Sequence, residues 1–186
     1  TVAVVGLGYV GLTLALTFAD IGLSVVGVDV NPEVVDQLNK GVTHFYEQGL
    51  NELLQLHGGS NFVVKKEFSP GESDVYVVCV GTPVDNNGQV LLEPLEQALA
   101  AVVRILKPHD LVILRSTVPI GTCRDLVIPF FEKATHLKIG KDFYLAFAPE
   151  RTIEGKALEE LRLLPQVIGG YNEASTDLTT QLFKLI

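Results

Sequence analysis

Three glycines near the start of the chain, at positions 6, 8 and 11, have the spacing that is most informative about chemistry. The first glycine lets the chain turn sharply, the second lets a ligand approach the backbone, and the third lets a following helix pack against a strand. The first N–H groups of that helix then face the ligand, with about half a positive charge from the helix dipole. We therefore expect a diphosphate site lined by the residues of this turn, which are Gly6, Gly8, Tyr9, Val10 and Gly11.

Asp29 is the second residue with a chemical role in this part of the chain. It lies 18 positions after Gly11, directly after the β-branched run that ends at Val28. At the tip of a second strand, its carboxylate can accept hydrogen bonds from an adenosine ribose, with Val30 beside it. A 2′-phosphate there would be repelled by about 4 kcal/mol per charge pair, at ~4 Å and an effective dielectric constant of ~20. The sequence therefore predicts a site for NAD rather than NADP.

The elements that must position these residues alternate along the chain. We expect parallel strands joined by helices, which predicts a Rossmann-like, doubly wound α/β fold with a mainly parallel sheet. Pro129 predicts a kink or an early end in one helix. The apolar patterns predict strands over 2–5, 25–28, 62–65, 75–80, 111–114, 143–148 and a short one over 166–168, with helices after Gly11, over 32–40, 50–56, 93–106 and 122–133, and from 172.

Polar residues follow the predicted strands at several further points. Thr82-Pro83, Ser116-Thr117 and Glu150-Arg151 each come just after a strand. The carboxyl ends of parallel strands meet at one edge of the sheet, and ligands bind at that edge in open α/β sheets. The sequence therefore predicts one shared site formed by these residues and the glycine turn.

Five motifs in this order resemble the N-terminal NAD-binding domain of the UDP-glucose/GDP-mannose dehydrogenase family. They are GLGYVGL at 6–12, VDVNP at 28–32, CVGTPVD at 79–85, RSTVPIGT at 115–122 and APER at 148–151. Together they extend over essentially the whole chain. Residues 150–170 are similar to the members that oxidise UDP-N-acetyl-hexosamines, notably UDP-N-acetylmannosamine dehydrogenases.

The resemblance implies oxidation of the C6 hydroxymethyl group of a UDP-sugar to a carboxylate by two NAD molecules, for polysaccharide biosynthesis. It implies that Glu150 acts in general acid/base chemistry or water activation, and that Thr117 binds a catalytic water near the nicotinamide. The alternative for Glu150 is a structural ion pair with Arg151. The resemblance also places Thr82, Pro83 and Ser116 beside NAD, and Arg151 and Thr152 beside the sugar nucleotide. The catalytic cysteine and lysine of the family lie in a later domain, and neither Cys79 nor Cys123 matches that nucleophile.

Composition narrows the possible partners. A net charge of -8 makes a nucleic acid or an anionic membrane an unfavourable partner. The apolar first 28 residues could be read as a membrane span or a signal peptide, but the glycines interrupt them and no basic region precedes them. Cys79 and Cys123 lack the spacing of metal ligands, so we expect reduced thiols, no metal site and a cytoplasmic protein.

The sequence also predicts how the chain is organised into domains. We expect an NAD-binding Rossmann domain over 1–170, and a helix from 171–186 that leads to a central domain outside the chain. The chain lacks methionine and ends in an apolar segment, which predicts a piece of a longer protein. Through that central domain, the resemblance implies a homodimer.

Two other functions stay open from the sequence. A β-hydroxyacid dehydrogenase shares the glycine-rich start but leaves the CVGTP and APER motifs unexplained. A non-catalytic NAD-sensing module requires a complete polypeptide without the downstream cysteine.

Overall fold

The β-branched and apolar runs of the chain form one seven-stranded sheet in a computed structural model that describes residues 1–186. The strands are β1 (Val2–Val5), β2 (Val25–Val28), β3 (Phe62–Lys65), β4 (Val75–Val78), β5 (Leu111–Leu114), β6 (Tyr144–Phe147) and β7 (Gly169–Gly170). The helices are α1 (Tyr9–Asp20), α2 (Pro32–Asn39), α3 (Leu50–His57), α4 (Glu93–Val103), α5 (Ile128–Ala134), α6 (Ala157–Leu163) and α7 (Glu173–Phe183).

The strand order β3-β2-β1-β4-β5-β6-β7 confirms the predicted Rossmann-like fold. β1 to β6 are parallel, and β7 alone is antiparallel to its neighbour β6. β1 pairs with β2 on one side and with β4 on the other, so the chain reverses its direction of winding at β1. In such sheets the crevice at this reversal is where ligands bind.

Two apolar layers cover the sheet. One packs α1, α2, α3, α6 and α7 against it, and the other packs α4 and α5 against the opposite face. Nine consecutive residues of α1, from Gly11 to Ala19, are buried. This burial explains why the start of the chain is so apolar, and none of the helices has the length and hydropathy needed to cross a bilayer.

Three local predictions differ from the structure. No strand forms over 166–168; the last strand is Gly169–Gly170, which depends on pairing with β6. Helix α6 was not predicted, because it is only seven residues long with two buried positions, Ala157 and Leu161, which give no clear helical period. Of the two outcomes predicted at Pro129, the early end is wrong, because the helix continues to Ala134. A π-helical turn over Cys123–Val127 precedes α5, and we infer that this widened turn accommodates a proline that has no N–H to donate.

Candidate functional site

The glycine turn between β1 and α1 has the conformation that its sequence predicts. Gly6 has a φ of +86°, which is strained for any residue with a Cβ. A Cβ on Gly11 would lie 1.8 Å from the carbonyl oxygen of Gly6, so the turn and the helix pack too closely for a side chain there. These two glycines are therefore required by the protein's own packing.

Gly8 differs from the other two glycines because nothing in the protein requires it to be small. It has an extended backbone (φ −66°, ψ −165°), and a Cβ built on it would have no neighbour within 4 Å. No side chain caps the N-terminus of α1 at this point, and no acidic residue lies in its first turn. The turn therefore presents open space and N–H groups at the start of α1, where Tyr9 and Val10 begin the helix.

Asp29 holds this turn in place. One carboxylate oxygen (Oδ2) accepts a hydrogen bond from the N–H of Leu7 at 2.7 Å, and the other (Oδ1) accepts from the N–H of Asn31 at 2.8 Å. Each carboxylate oxygen can accept two hydrogen bonds, so the side chain retains capacity for ribose hydroxyls. The predicted acid thus lies against the predicted glycine turn, and the neighbouring Val30 is 86% exposed.

A cavity of about 500 Å³ opens beside this acid, between the ends of β1, β2 and β4 and helix α4. Its volume lies in the range of small-molecule sites. Its wall is mainly apolar, which suits a planar base. Sequence reasoning identified only Gly6 and Val30 among its lining residues. Ala98 and Ala101, three positions apart on α4, also line it. The other lining residues are Val5, Val28, Lys66, Glu67, Phe68, Pro70, Val80, Pro94, Gln97, Arg104 and Ile105.

The turns that follow β4 and β5 are joined by hydroxyl groups. The hydroxyl of Thr82 donates to the carbonyl oxygen of Thr117 at 2.6 Å, and that of Ser116 donates to the carbonyl oxygen of Val80 at 2.7 Å. The structure therefore brings these predicted residues together at one edge of the sheet. Thr117 and Pro83 are exposed there, while Ser116 is buried.

Glu150, which follows β6, has a side chain that is only 7% exposed and a carboxylate surrounded by donors. One oxygen (Oε2) accepts from Nη2 and Nε of Arg115 at 2.6 and 3.1 Å. The other (Oε1) accepts from the backbone N–H groups of Arg151 and Thr152 at 2.6 and 2.9 Å. An ion pair with the side chain of Arg151 was the wrong alternative, because that guanidinium is exposed and donates to the carbonyl oxygen of Pro165 instead.

Arg115 was missed in the sequence, although a charged residue directly after an apolar strand was a usable signal. Its side chain is completely buried. Besides Glu150, the guanidinium donates from Nη1 to the carbonyl oxygen of Ala148 at 3.0 Å and to Oε1 of Gln166 at 3.2 Å. Its carbon Cζ lies 4.8 Å from the ring centre of Phe183. Arg115 thus fixes the orientation of the Glu150 carboxylate from inside the protein.

Tyr9 leads to a second residue that the sequence did not reveal. Its hydroxyl donates a hydrogen bond to Glu47, a buried acid between α2 and α3. Burial and this bond raise the pKa of Tyr9 to about 12. The backbone N–H of Gly155 donates to both the Tyr9 hydroxyl and the Glu47 carboxylate, each at 2.8 Å. The start of α1 is therefore connected to the segment that follows β6.

The structure contains no group of three His, Cys, Asp or Glu residues arranged to hold a metal ion. Both cysteines are free, Cys79 buried and Cys123 partly buried.

Comparison with known proteins identifies the kind of domain to which this site belongs. The family model described as the UDP-glucose/GDP-mannose dehydrogenase family, NAD binding domain, matches residues 1–186. A curated UDP-N-acetyl-D-mannosamine dehydrogenase from Pyrococcus horikoshii is 37% identical over 98% of this chain and 44% of its own length. One from Campylobacter jejuni is 34% identical over 99% of this chain and 47% of its own length. The chain thus spans less than half the length of these relatives.

Solved structures agree with the sequence comparisons. The UDP-D-ManNAc dehydrogenase of Pyrococcus horikoshii matches with a TM-score of 0.91 and 36% identity, over 99% of this chain and 44% of that chain. A ternary complex of GDP-mannose dehydrogenase from Pseudomonas aeruginosa matches with a TM-score of 0.92 and 32% identity, over 98% and 44%. A 3-hydroxyisobutyrate dehydrogenase from Salmonella typhimurium, at 17% identity and a TM-score of 0.64 over 100% and 53%, shares the fold alone.

Proposed function

The chain belongs to the UDP-glucose/GDP-mannose dehydrogenase family as its NAD binding domain, and we propose that the polypeptide carrying it is a nucleotide-sugar 6-dehydrogenase. The reaction is oxidation of the C6 hydroxymethyl group of a UDP-sugar to a carboxylate. The substrate class is UDP-N-acetyl-hexosamines, because several relatives at 31–39% identity are named UDP-N-acetyl-D-mannosamine dehydrogenase. The product is a uronic acid sugar for polysaccharide biosynthesis.

The observation that carries this proposal is the open space above Gly8 at the start of α1. The residues present fit NAD: the first N–H groups of α1 bind the diphosphate, and Asp29 accepts from the adenosine ribose. The apolar cavity beside Val30 takes the adenine. NAD, when bound, supplies a hydride acceptor, and two NAD are needed because an alcohol loses four electrons on becoming a carboxylate. Thr82, Pro83 and Ser116 line the cofactor along the ends of β4 and β5.

Glu150 and Thr117 act on the substrate side. Glu150 is the general acid/base or water-activating group, and it is supported by its low exposure and by the two donors from Arg115 that fix its orientation. The exposed Thr117 binds the water that Glu150 activates. Arg151 and Thr152 contact the sugar nucleotide from the segment after β6.

The assembly and location of the protein are also part of the proposal. The length of the relatives supports a further domain beyond residues 1–170, reached through 171–186. A homodimer formed through that domain is proposed from the family resemblance. The structure packs α7 of this region against the sheet, with Phe183 buried. The acidic charge supports partners other than nucleic acid or membranes, and the free cysteines support a cytoplasmic location.

One assay on the polypeptide that carries residues 1–186 separates the candidate functions. UDP-N-acetylmannosamine, UDP-N-acetylglucosamine, UDP-glucose and GDP-mannose are each offered with NAD, and NADH is followed by absorbance. We expect two NADH per molecule of a UDP-N-acetyl-hexosamine. NAD binding without oxidation of any sugar would favour the sensing module, and oxidation of a β-hydroxyacid instead would favour the other dehydrogenase family.

A further inference from the structure

The 151–155 segment, which follows β6, has no regular secondary structure, yet its backbone N–H groups are held by acidic side chains. Beyond the two N–H groups that Glu150 accepts, the N–H of Ile153 donates to Oε2 of Glu160 at 2.8 Å. The N–H of Gly155 donates to Oε2 of Glu47 at 2.8 Å. Three carboxylates from different parts of the chain therefore fix the course of this segment.

Glu150 and Glu160 lie next to the segment in the sequence, whereas Glu47 comes from the distant connection between α2 and α3. It is 5% exposed and lies 108 positions before Gly155 in the sequence. Its Oε2 atom also accepts from the hydroxyl of Tyr9, whose ring packs against Phe45 with ring centres 5.1 Å apart. Glu47 therefore connects the first residue of α1 to the 151–155 segment.

The Gly155 end of the segment depends on this connection. Gly155 has a φ of +86°, and a built Cβ would meet nothing within 4 Å, so side-chain packing does not hold it there. Hydrogen bonds to a charged acceptor are about twice as strong as neutral ones, and a buried carboxylate holds its donors in a fixed direction. Without Glu47, the remaining partner of the Gly155 N–H is the Tyr9 hydroxyl, whose only other acceptor is the carbonyl oxygen of Ile153 at a long 3.4 Å.

We propose that Glu47 is a positioning residue for substrate: it sets the conformation in which the 151–155 segment meets the nucleotide sugar. This proposal rests on the proposed function, in which Arg151 and Thr152 contact that sugar. The proposal distinguishes substrate binding from cofactor binding, because within α1 Glu47 bonds only the Tyr9 side chain and leaves the N–H groups of the helix free for a diphosphate. Loss of Glu47 is therefore expected to affect sugar binding and to spare NAD binding.

The test compares Glu47→Ala, which removes the acceptor, with Glu47→Gln, which keeps an acceptor oxygen. Both are made in the polypeptide that carries residues 1–186, and Glu159→Ala, an exposed acid on α6, is the matched control. We expect Glu47→Ala to raise the KM for UDP-N-acetylmannosamine about tenfold, equivalent to about 1.4 kcal/mol. The Kd for NAD stays within about twofold, well under the tenfold that 1.4 kcal/mol represents, and Glu47→Gln restores most of the sugar KM.

Hydrogen–deuterium exchange supplies a readout that does not depend on turnover. Peptides covering 151–156 are expected to exchange faster in Glu47→Ala than in the unmodified protein and in Glu159→Ala. An active protein whose sugar KM and exchange are both unchanged by Glu47→Ala would overturn the role of Glu47 alone. Equal weakening of sugar and NAD would overturn it too, since that pattern indicates general loosening. An unmodified protein that oxidises no nucleotide sugar would overturn the proposed function, and with it the role in substrate binding.

Discussion

Replacing Gly8 by alanine tests whether a diphosphate approaches the backbone at the start of α1. The structure gives this methyl group free space, since a Cβ at Gly8 meets nothing within 4 Å and the backbone there is extended. Alanine is a poorer N-cap than glycine by about 0.5–1 kcal/mol. It also restricts the unfolded chain, which stabilises the fold by about 0.4–1 kcal/mol. The two effects oppose each other, so we expect a free energy of unfolding within about 0.5 kcal/mol of the unmodified protein.

NAD binding is expected to respond very differently. A methyl group in that space displaces the diphosphate from the N–H groups of α1, and a hydrogen bond to a charged group is worth about 1.5–3 kcal/mol. The Kd for NAD, measured by isothermal titration calorimetry, is therefore expected to rise about 10- to 150-fold. Unfolding in urea is followed by circular dichroism, because the chain has no tryptophan.

Gly11→Ala is the matched control, with the opposite expected outcome. Its Cβ would lie 1.8 Å from the carbonyl oxygen of Gly6, so the turn must move, and we expect a loss of about 3 kcal/mol or more of stability. A folded Gly8→Ala protein that binds NAD as tightly as the unmodified one would refute the placement of the diphosphate. A stable Gly11→Ala protein would refute the packing argument for the turn.

Three further predictions follow from the buried polar groups. Asp29→Ala is expected to weaken NAD binding, narrow the preference over NADP measured by calorimetry, and lower stability by about 1–3 kcal/mol, because it leaves the Leu7 N–H without its partner. Arg115→Met leaves the Glu150 carboxylate buried without its cation, so urea unfolding is expected to show a loss of about 3–5 kcal/mol. Burial raises the pKa of the Cys79 thiol to about 12, so a thiol reagent at neutral pH is expected to modify it only after unfolding. An unfolded thiol ionises near pH ~8.5, whereas the folded one stays protonated up to about 12. Ionisation of Cys79 therefore favours the unfolded state, and the free energy of unfolding is expected to fall as the pH rises between these two values.

Each of these three has a clear contradicting result. Equal binding of NAD and NADP by the unmodified protein would contradict the role of Asp29. Arg151→Met, at an exposed guanidinium, is the control for Arg115→Met, and equal losses from the two would show that the buried ion pair is not the cause. Rapid modification of Cys79 in the folded protein would contradict its burial.

The fold was predictable because its determinants are local. Strands such as Val2–Val5 and Leu111–Leu114 are continuous apolar runs, as expected for strands buried on both faces. The two elements that were missed or misplaced lack such signals. α6 has only seven residues and two buried positions, and β7 consists of two glycines whose strand conformation comes only from pairing with β6.

The part of the site that depends on local sequence was predictable too. The glycine turn and Asp29 could be placed because the strand–turn–helix–strand unit fixes their distance in the fold. The partners of the buried acids could not, because Arg115 and Glu150 are 35 positions apart and Glu47 and Gly155 are 108 positions apart. No local pattern relates residues at such separations; only the strand order brings them to one edge of the sheet.

Asp29, Glu47 and Glu150 have one structural feature in common: each carboxylate accepts at least one backbone N–H from an irregular segment at this edge. A carboxylate has four acceptor positions, so Asp29 and Glu47, which use two each, can fix a loop and still accept from a ligand. Glu150 uses all four for donors of Arg115, Arg151 and Thr152, so one of these bonds must break before it exchanges a proton. The amide variants separate these two abilities, because asparagine or glutamine keeps an acceptor oxygen for the loop but loses the charge. For Asp29, whose two oxygens bond different N–H groups, the amide can serve only one of them. For Glu47, one oxygen takes both donors, so the glutamine variant retains the whole connection.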